Sequence, residues 1–154
     1  LSDDKEEVLL KLGTDPRVAH QVLFEHRHPQ KTPDFHYEII DDMHNPQIPQ
    51  AVFEAFRGGA KSTLAEEAFI VRALFHKFEN GIILGSTYDR GVERLAAIKF
   101  ELENNEIIEA MFGNVEGITW GADHIVLRNN VSIRAFGTGQ SLRGSKFRAR
   151  RPDF

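Results

Sequence analysis

The sequence predicts an α/β protein preceded by a helical lead-in, and three observations carry that prediction. Between residues 51 and 111 short apolar runs alternate with longer stretches of 3.6-residue periodicity, the signature of strand–helix–strand–helix units. The turn between the first run and the first long stretch reads Phe-Arg-Gly-Gly-Ala-Lys-Ser-Thr at 56–63, Gly-rich and opening directly into helix. Residues 1–45 hold capped helical segments and no strand-like run. A chain of 154 residues suffices for a domain with a hydrophobic core, and 41% apolar with 27% charged residues is ordinary globular composition.

Residues 3–12 read as a first helix, with acids in the opening turn and Gly13 as the stop. Asp15-Pro16 opens a second, Asp as cap and Pro as first residue, running to about His26. His28-Pro29-Gln30-Lys31-Thr32-Pro33 is a linker, and Asp34 begins a third helix that ends before Asn45-Pro46. The lead-in therefore covers 1–45 and the α/β part 46–154. In the latter, 51–56 (Ala-Val-Phe-Glu-Ala-Phe) is a short strand. Lys61 to Phe78 is a helix with Leu64, Ala68, Val71, Leu74, Phe75 and Phe78 on one stripe, broken by Asn80-Gly81. Ile82 to Ser86 is an unbroken apolar strand, expected to be buried on both faces of a parallel sheet. A long helix runs from Arg90 to about Met111. After Gly113 the pattern becomes antiparallel: 124–128 and 131–136 alternate around Asn129-Asn130, a hairpin turn pair.

Charge is unevenly spread. Residues 1–50 carry 5 basic and 10 acidic side chains, 51–140 carry 9 and 12, and the last fourteen carry Arg143, Lys146, Arg148, Arg150 and Arg151 against Asp153 alone. The basic tail is a candidate anion-binding stretch, or a solvated basic loop. The absence of cysteine excludes disulfides and thiolate metal sites and fits a reducing compartment. No apolar run approaches the roughly 20 residues that cross a bilayer. The start at Leu1 and the end just after Arg-Pro-Asp, where an apolar strand is expected to follow, suggest a piece of a longer protein.

The turn at 56–63 is the first candidate site. Lys61 behind small residues can reach the outer phosphates of a nucleotide, Ser62 can hold Mg²⁺, and backbone N–H groups at the helix start can wrap the anion. Ala55 and Ala60 stand where the usual phosphate-loop pattern has Gly, and Ala60 in a left-handed conformation would cost about 1–2 kcal/mol. Gly58 and Gly59 keep the backbone permissive, and Arg57 adds a second cation. The location after a first sheet strand matches the carboxyl edge where open α/β sheets bind ligands. The seven histidines lack the i, i+4 spacing with a neighbouring carboxylate of a helical zinc site and read as surface or core. Asp41-Asp42 reads as solvated surface, since adjacent helix residues point apart. Asp153 precedes its strand and is at the wrong end for a metal-holding acid. Gly137-x-Gly139 with Gly144 lacks Lys-Ser/Thr and a following helix, so it is not a second phosphate loop. Arg143 within it is placed to reach a γ-phosphate, in its own subunit or a neighbour's.

Together these stretches resemble the beginning of the ATPase domain of large terminase subunits, the DNA-packaging motors of tailed bacteriophages. Pro33-Asp34-Phe35-His36-Tyr37-Glu38 resembles the family's lead-in helix, and Arg57-Gly58-Gly59-Ala60-Lys61-Ser62-Thr63 its variant phosphate loop. Ser86-Thr87, Glu101-Leu102-Glu103-Asn104-Asn105 and Phe112-Gly113 resemble its second strand and following helix. Gly139-Gln140-Ser141-Leu142-Arg143-Gly144 and Arg151-Pro152-Asp153 resemble its approach to the metal-binding strand. The order and spacing hold over 33–154, and the two alanines are permitted in the family.

The resemblance implies a P-loop NTPase fold of the RecA type, a three-layer α/β sandwich with a helical lead-in and a β-hairpin insertion, incomplete here. It implies an ATPase that drives double-stranded DNA into a capsid as a homo-oligomeric ring, with a portal protein and a small terminase subunit as partners. The setting would be the host cytoplasm, docked on the procapsid, with no membrane partner. ATP and Mg²⁺ would be the cofactors: Lys61 on the β/γ-phosphates, Ser62 on the metal, Thr63 on the α/β side, Arg57 and Arg143 at the γ-phosphate, Phe35 and His36 flanking adenine. The family's metal-coupled acids and its nuclease domain are not in this sequence, so the chain alone is expected to bind nucleotide poorly and not to turn it over. Two alternatives remain open: another P-loop translocase or helicase, and a non-catalytic α/β module whose basic tail binds DNA or a partner.

Overall fold

The computed structural model describes residues 3–28, 30–47 and 61–138, and only the backbone of Lys61 and Ser62. The expected strand at 51–56, the turn residues 57–60 and the whole tail from 139 lie outside the described residues. The chain is mixed α/β and divides into two compact units, Leu1–Arg72 and Ala73–Phe154.

The first unit is helical. Helix α1 (Asp3–Thr14) places Asp3, Asp4 and Glu6 in its first turn and Lys11 in its last, matching the helix dipole at both ends. Helix α2 (Pro16–Leu23) starts as expected: the Asp15 carboxylate accepts from the Val18 amide at 3.3 Å, and Pro16 needs no amide partner. It ends earlier than the sequence suggests. Phe24 leaves helical geometry to enter the core, where it is fully buried, and Glu25–Arg27 continue as one 3₁₀ turn. Helix α3 (Asp34–His44) follows Pro33, and helix α4 (Lys61–Leu74) begins where the sequence places it. Leu12, Ala19, Leu23, Phe24, Ile39, Ile40, Leu64 and Ala68 are buried in this unit.

Helix α4 was expected to reach Phe78 but stops one turn sooner. A turn follows in which His76 takes a positive φ of 53°. The Asn129 side-chain amide donates to the carbonyls of Ala73 (2.8 Å) and Leu74 (3.3 Å) in the last turn, which caps the helix there.

The second unit is a four-stranded mixed sheet with a helical layer. Strand β1 (Asn80–Gly85) is followed by α5 (Tyr88–Asn104), α6 (Glu106–Phe112), β2 (Glu116–Trp120), β3 (His124–Leu127) and β4 (Ser132–Gly137). The spatial order is β1-β4-β3-β2. Strands β1 and β4 are parallel, in register from Asn80 opposite Ser132 to Gly85 opposite Gly137, and β3 is antiparallel to β4 and β2. Helix α5 covers β1 and β4.

Four expectations are corrected here. Asn80-Gly81 does not break the chain before the strand but begins it, with Asn80 buried. Strand β1 is not buried throughout, since Leu84 is half-exposed. The long helix is two: Asn105 leaves helical geometry, and its side chain accepts from the amides of Ile107 and Ile108, both at 3.0 Å, to start α6. Strand β2 has no counterpart in the sequence reading. The hairpin itself is as expected, with Asn130 at φ 70° in its turn.

Candidate functional site

Two places in the described residues bear on the expected site: the first turn of α4, and the carboxyl edge of the parallel pair β1–β4.

Helix α4 opens at Lys61 with no acidic residue in its first turn. Helices α1, α3, α5 and α6 each carry Asp or Glu there, which complements the positive end of the helix dipole. Over 14 residues, α4 thus leaves its positive end without an internal carboxylate. Thr63 is half-buried and Leu64 fully buried. Leu64 joins Ile39 and Ile40 of α3 in one apolar cluster, and Phe35, Tyr37 and Met43 pack against it. The lead-in aromatic Phe35 and the first turn of α4 are thereby brought to the same cluster. His36 is buried beside Phe35, the two rings edge to face with centroids 4.4 Å apart.

Further along, α4 is tied to the lead-in by polar contacts. Arg27 Nη2 donates to Glu66 Oε2 at 3.0 Å. Glu67 is fully buried; its Oε1 lies 2.6 Å from His28 Nε2 and 3.4 Å from His20 Nδ1. His20 is itself buried and sets its Nε2 2.9 Å from His44 Nε2, a hydrogen-bond separation. Arg72 Nη1 donates to the Met43 carbonyl at 2.9 Å. On the surface, Arg17 Nε donates to Asp41 Oδ1 at 2.9 Å, and its guanidinium lies 5.1 Å from the centre of the Tyr37 ring. That guanidinium, through its hydrogen bond, holds the Asp41 carboxyl below the ordinary carboxylate range. Asp41 is exposed, in keeping with the surface reading, and is ion-paired.

At the sheet edge the chain turns sharply from β1 into α5. The Thr87 hydroxyl accepts from the Arg90 amide at 3.2 Å and caps the helix. A Cβ on Gly85 would collide with the Gly91 backbone nitrogen, and one on Gly137 with that of Tyr88, so glycine at both strand ends lets α5 lie directly on the sheet. Thr138 binds back through both groups, its amide to Gly85 O at 2.9 Å and its hydroxyl to Ser86 O at 2.8 Å. Tyr88 donates its hydroxyl to Asp123 at 2.9 Å, which pushes the phenol above its ordinary value. His124, its Nε2 3.0 Å from the Ser132 hydroxyl, is held below the ordinary imidazole value by burial and then by the Arg134 charge.

Of the residues expected to form the site, Phe35, His36 and Thr63 fall in the helical unit, and Lys61 and Ser62 begin α4. Arg57, Gly58, Gly59, Ala60 and Arg143 lie outside the described residues. The sequence reading missed Glu67 and its histidines. One signal was present: Glu67 stands three residues after Leu64 and four before Val71, on the apolar stripe of its helix. Among the described residues no group of three or more His, Asp or Glu is arranged to hold a metal ion, and no helix is long and apolar enough to cross a membrane. The 2.6 Å between His28 and Glu67 is a hydrogen-bond separation. No protein-family model, curated protein or solved structure gives a significant match to this chain.

Proposed function

We propose that the chain is the nucleotide-binding part of a viral DNA-packaging ATPase of the large-terminase kind, built on a P-loop three-layer sandwich. The observation that carries this reading is the first turn of α4. It follows Arg-Gly-Gly-Ala directly, begins at Lys61, and leaves its positive end without a carboxylate of its own. A nucleotide triphosphate supplies the anion such an end favours. The shared cluster of Phe35 with Leu64 supports a base-binding role for the lead-in beside that turn.

In this reading ATP and Mg²⁺ are the cofactors, and the metal neutralises charge on the phosphate oxygens. The Lys61 ammonium binds the β/γ-phosphates, the Ser62 hydroxyl ligates the metal, Thr63 supports the α/β side, and the backbone at Gly58, Gly59 and Ala60 lines the phosphates. Arg57 stabilises the γ-phosphate, Phe35 and His36 flank the base, and Arg143 is assigned to the γ-phosphate as well. Double-stranded DNA is the translocated substrate. The assembly is a homo-oligomeric ring that meets a portal protein and a small terminase subunit, in the host cytoplasm on the procapsid.

The test is ATP hydrolysis by the full-length protein with and without double-stranded DNA. DNA-stimulated turnover that Lys61→Ala abolishes, with an unchanged circular dichroism spectrum, is the expected result. Undiminished hydrolysis in that variant would overturn the proposal.

A further inference from the structure

Glu67 is a side chain with no exposure, one and a half turns into the helix that begins at Lys61. Its contacts are two histidines of the lead-in, His28 at 2.6 Å and His20 at 3.4 Å, and its Oε2 has no hydrogen-bond partner among the described residues. Burying a carboxylate is costly unless its partners stay in place. A surface helix gains nothing from such a group. The arrangement persists because the rest of α4 is fixed by the same lead-in: Leu64 among Ile39 and Ile40, Glu66 on Arg27, Arg72 on the Met43 carbonyl. Any shift of α4 against the lead-in would strip Glu67 of its hydrogen bond to His28 while it is still buried, so small displacements are resisted more strongly than apolar packing alone would resist them.

We infer that Glu67 is a positioning residue: through His20 and His28 it fixes the first turn of α4, and so makes the lead-in helices a control element for whatever anion that turn binds. The nucleotide part of this inference rests on the function proposed above; the fixing of the helix does not. Six residues separate Lys61 from Glu67, about 9 Å at the helical rise of 1.5 Å per residue, a distance a helix spans rigidly. Because coupling between two sites is reciprocal, an anion held at the first turn also orders α2 and the segment around His28.

The experiment is amide hydrogen exchange on the full chain, in wild type, Glu67→Ala, Glu67→Gln and His28→Ala. The last is included because His28 is partly exposed and its loss leaves the core packing intact. In a helix the amides of Ala65 and Glu66 donate to the carbonyls of Lys61 and Ser62, so their exchange reports the first turn. Their protection is expected to fall about tenfold in Glu67→Ala and His28→Ala, with Ile83 and Ile133 unchanged, and to recover in Glu67→Gln, which keeps an acceptor for His28. A parallel titration with a non-hydrolysable ATP analogue and Mg²⁺ should show affinity weakened by a similar factor in the two alanine variants and restored in Glu67→Gln. Unchanged protection of Ala65 and Glu66 in both alanine variants overturns the inference. If wild type binds no nucleotide, the proposed function fails, while the exchange result still decides whether Glu67 fixes the helix.

Discussion

His124 and Asp41 titrate in different ranges, yet both make the folded chain acid-sensitive. Burial and the Arg134 charge hold His124 below its ordinary 6.5. The unfolded chain therefore binds a proton that the folded chain resists, and stability rises with pH across that interval. The contribution is complete above pH 6.5 and is lost as pH falls through that value toward the folded one. Asp41, held low by Arg17, follows the same sign further down: its contribution is complete above 3.8 and is lost as pH falls below it. In thermal unfolding from pH 7.5 to 5.5, His124→Gln should flatten the decline seen in wild type, whereas Asp41→Asn should change only the slope below about pH 4. Equal slopes for wild type and His124→Gln would show that the imidazole gains its proton freely in the fold. At this scale legibility follows sequence distance. Gly58, Gly59, Lys61 and Ser62 are neighbours, so their chemistry can be read from one short stretch. Glu67 meets His28 across 39 residues and His20 across 47, and no local pattern encodes either pairing.

Helix boundaries depend on where backbone groups find partners, and Asn105 shows how a side chain outweighs periodicity. The apolar stripe of Val92, Leu95, Ala96, Ile98 and Leu102 resumes at Ile108, six residues on, with Asn105 in the gap. Its carbonyl oxygen nevertheless accepts two amides of α6, while its amide group donates to the buried Glu101 carboxylate at 3.2 Å. Asn105→Ala should lower stability by about 1–2 kcal/mol, the usual cost of a lost cap, measured as a lower urea midpoint at unchanged slope. An unchanged midpoint would mean that α5 and α6 merge without penalty. The same local chemistry made some elements readable, such as Asp15-Pro16 at the start of α2 and Asn129-Asn130 between β3 and β4. Strand β2 gave no such signal. Its residues are half-buried at most, Ile118 is fully exposed, and the register against β3 shifts within it, so no alternation marks an inner face. The end of α4 was hidden for another reason: the groups that cap it come from Asn129, 55 residues on from Leu74. Leu64, by contrast, lies on a stripe the sequence displays. Leu64→Ala should cost about 2–4 kcal/mol, because the cluster with Ile39 and Ile40 would keep a cavity. A urea midpoint close to wild type would show that the first turn of α4 collapses onto α3 without loss.

Across the whole molecule the charge is segregated along the chain. Of the net −4, residues 1–140 hold −8 and the last fourteen hold +4. The acidic portion repels a polyanion, so if DNA is the substrate, as proposed, it must be met by a local run of cations rather than by the average field. The sequence of the tail offers such a run in Arg143, Lys146, Arg148, Arg150 and Arg151. Arg143 differs from the others in its proposed assignment to the nucleotide. If Arg148, Arg150 and Arg151 each neutralise one phosphate, their replacement by Gln should reduce the salt dependence of DNA affinity. The slope of log K against log salt falls by about 0.9 per lost phosphate contact, or close to 3 for the triple variant. The loss should be uniform across DNA sequences, since phosphate contacts position a protein without reading bases. Nucleotide affinity measured in the same preparation should stay at its wild-type value, which separates a DNA-contacting tail from one that closes on the phosphate turn. A salt slope unchanged by the triple substitution would remove the tail from the DNA path and leave it a solvated basic segment.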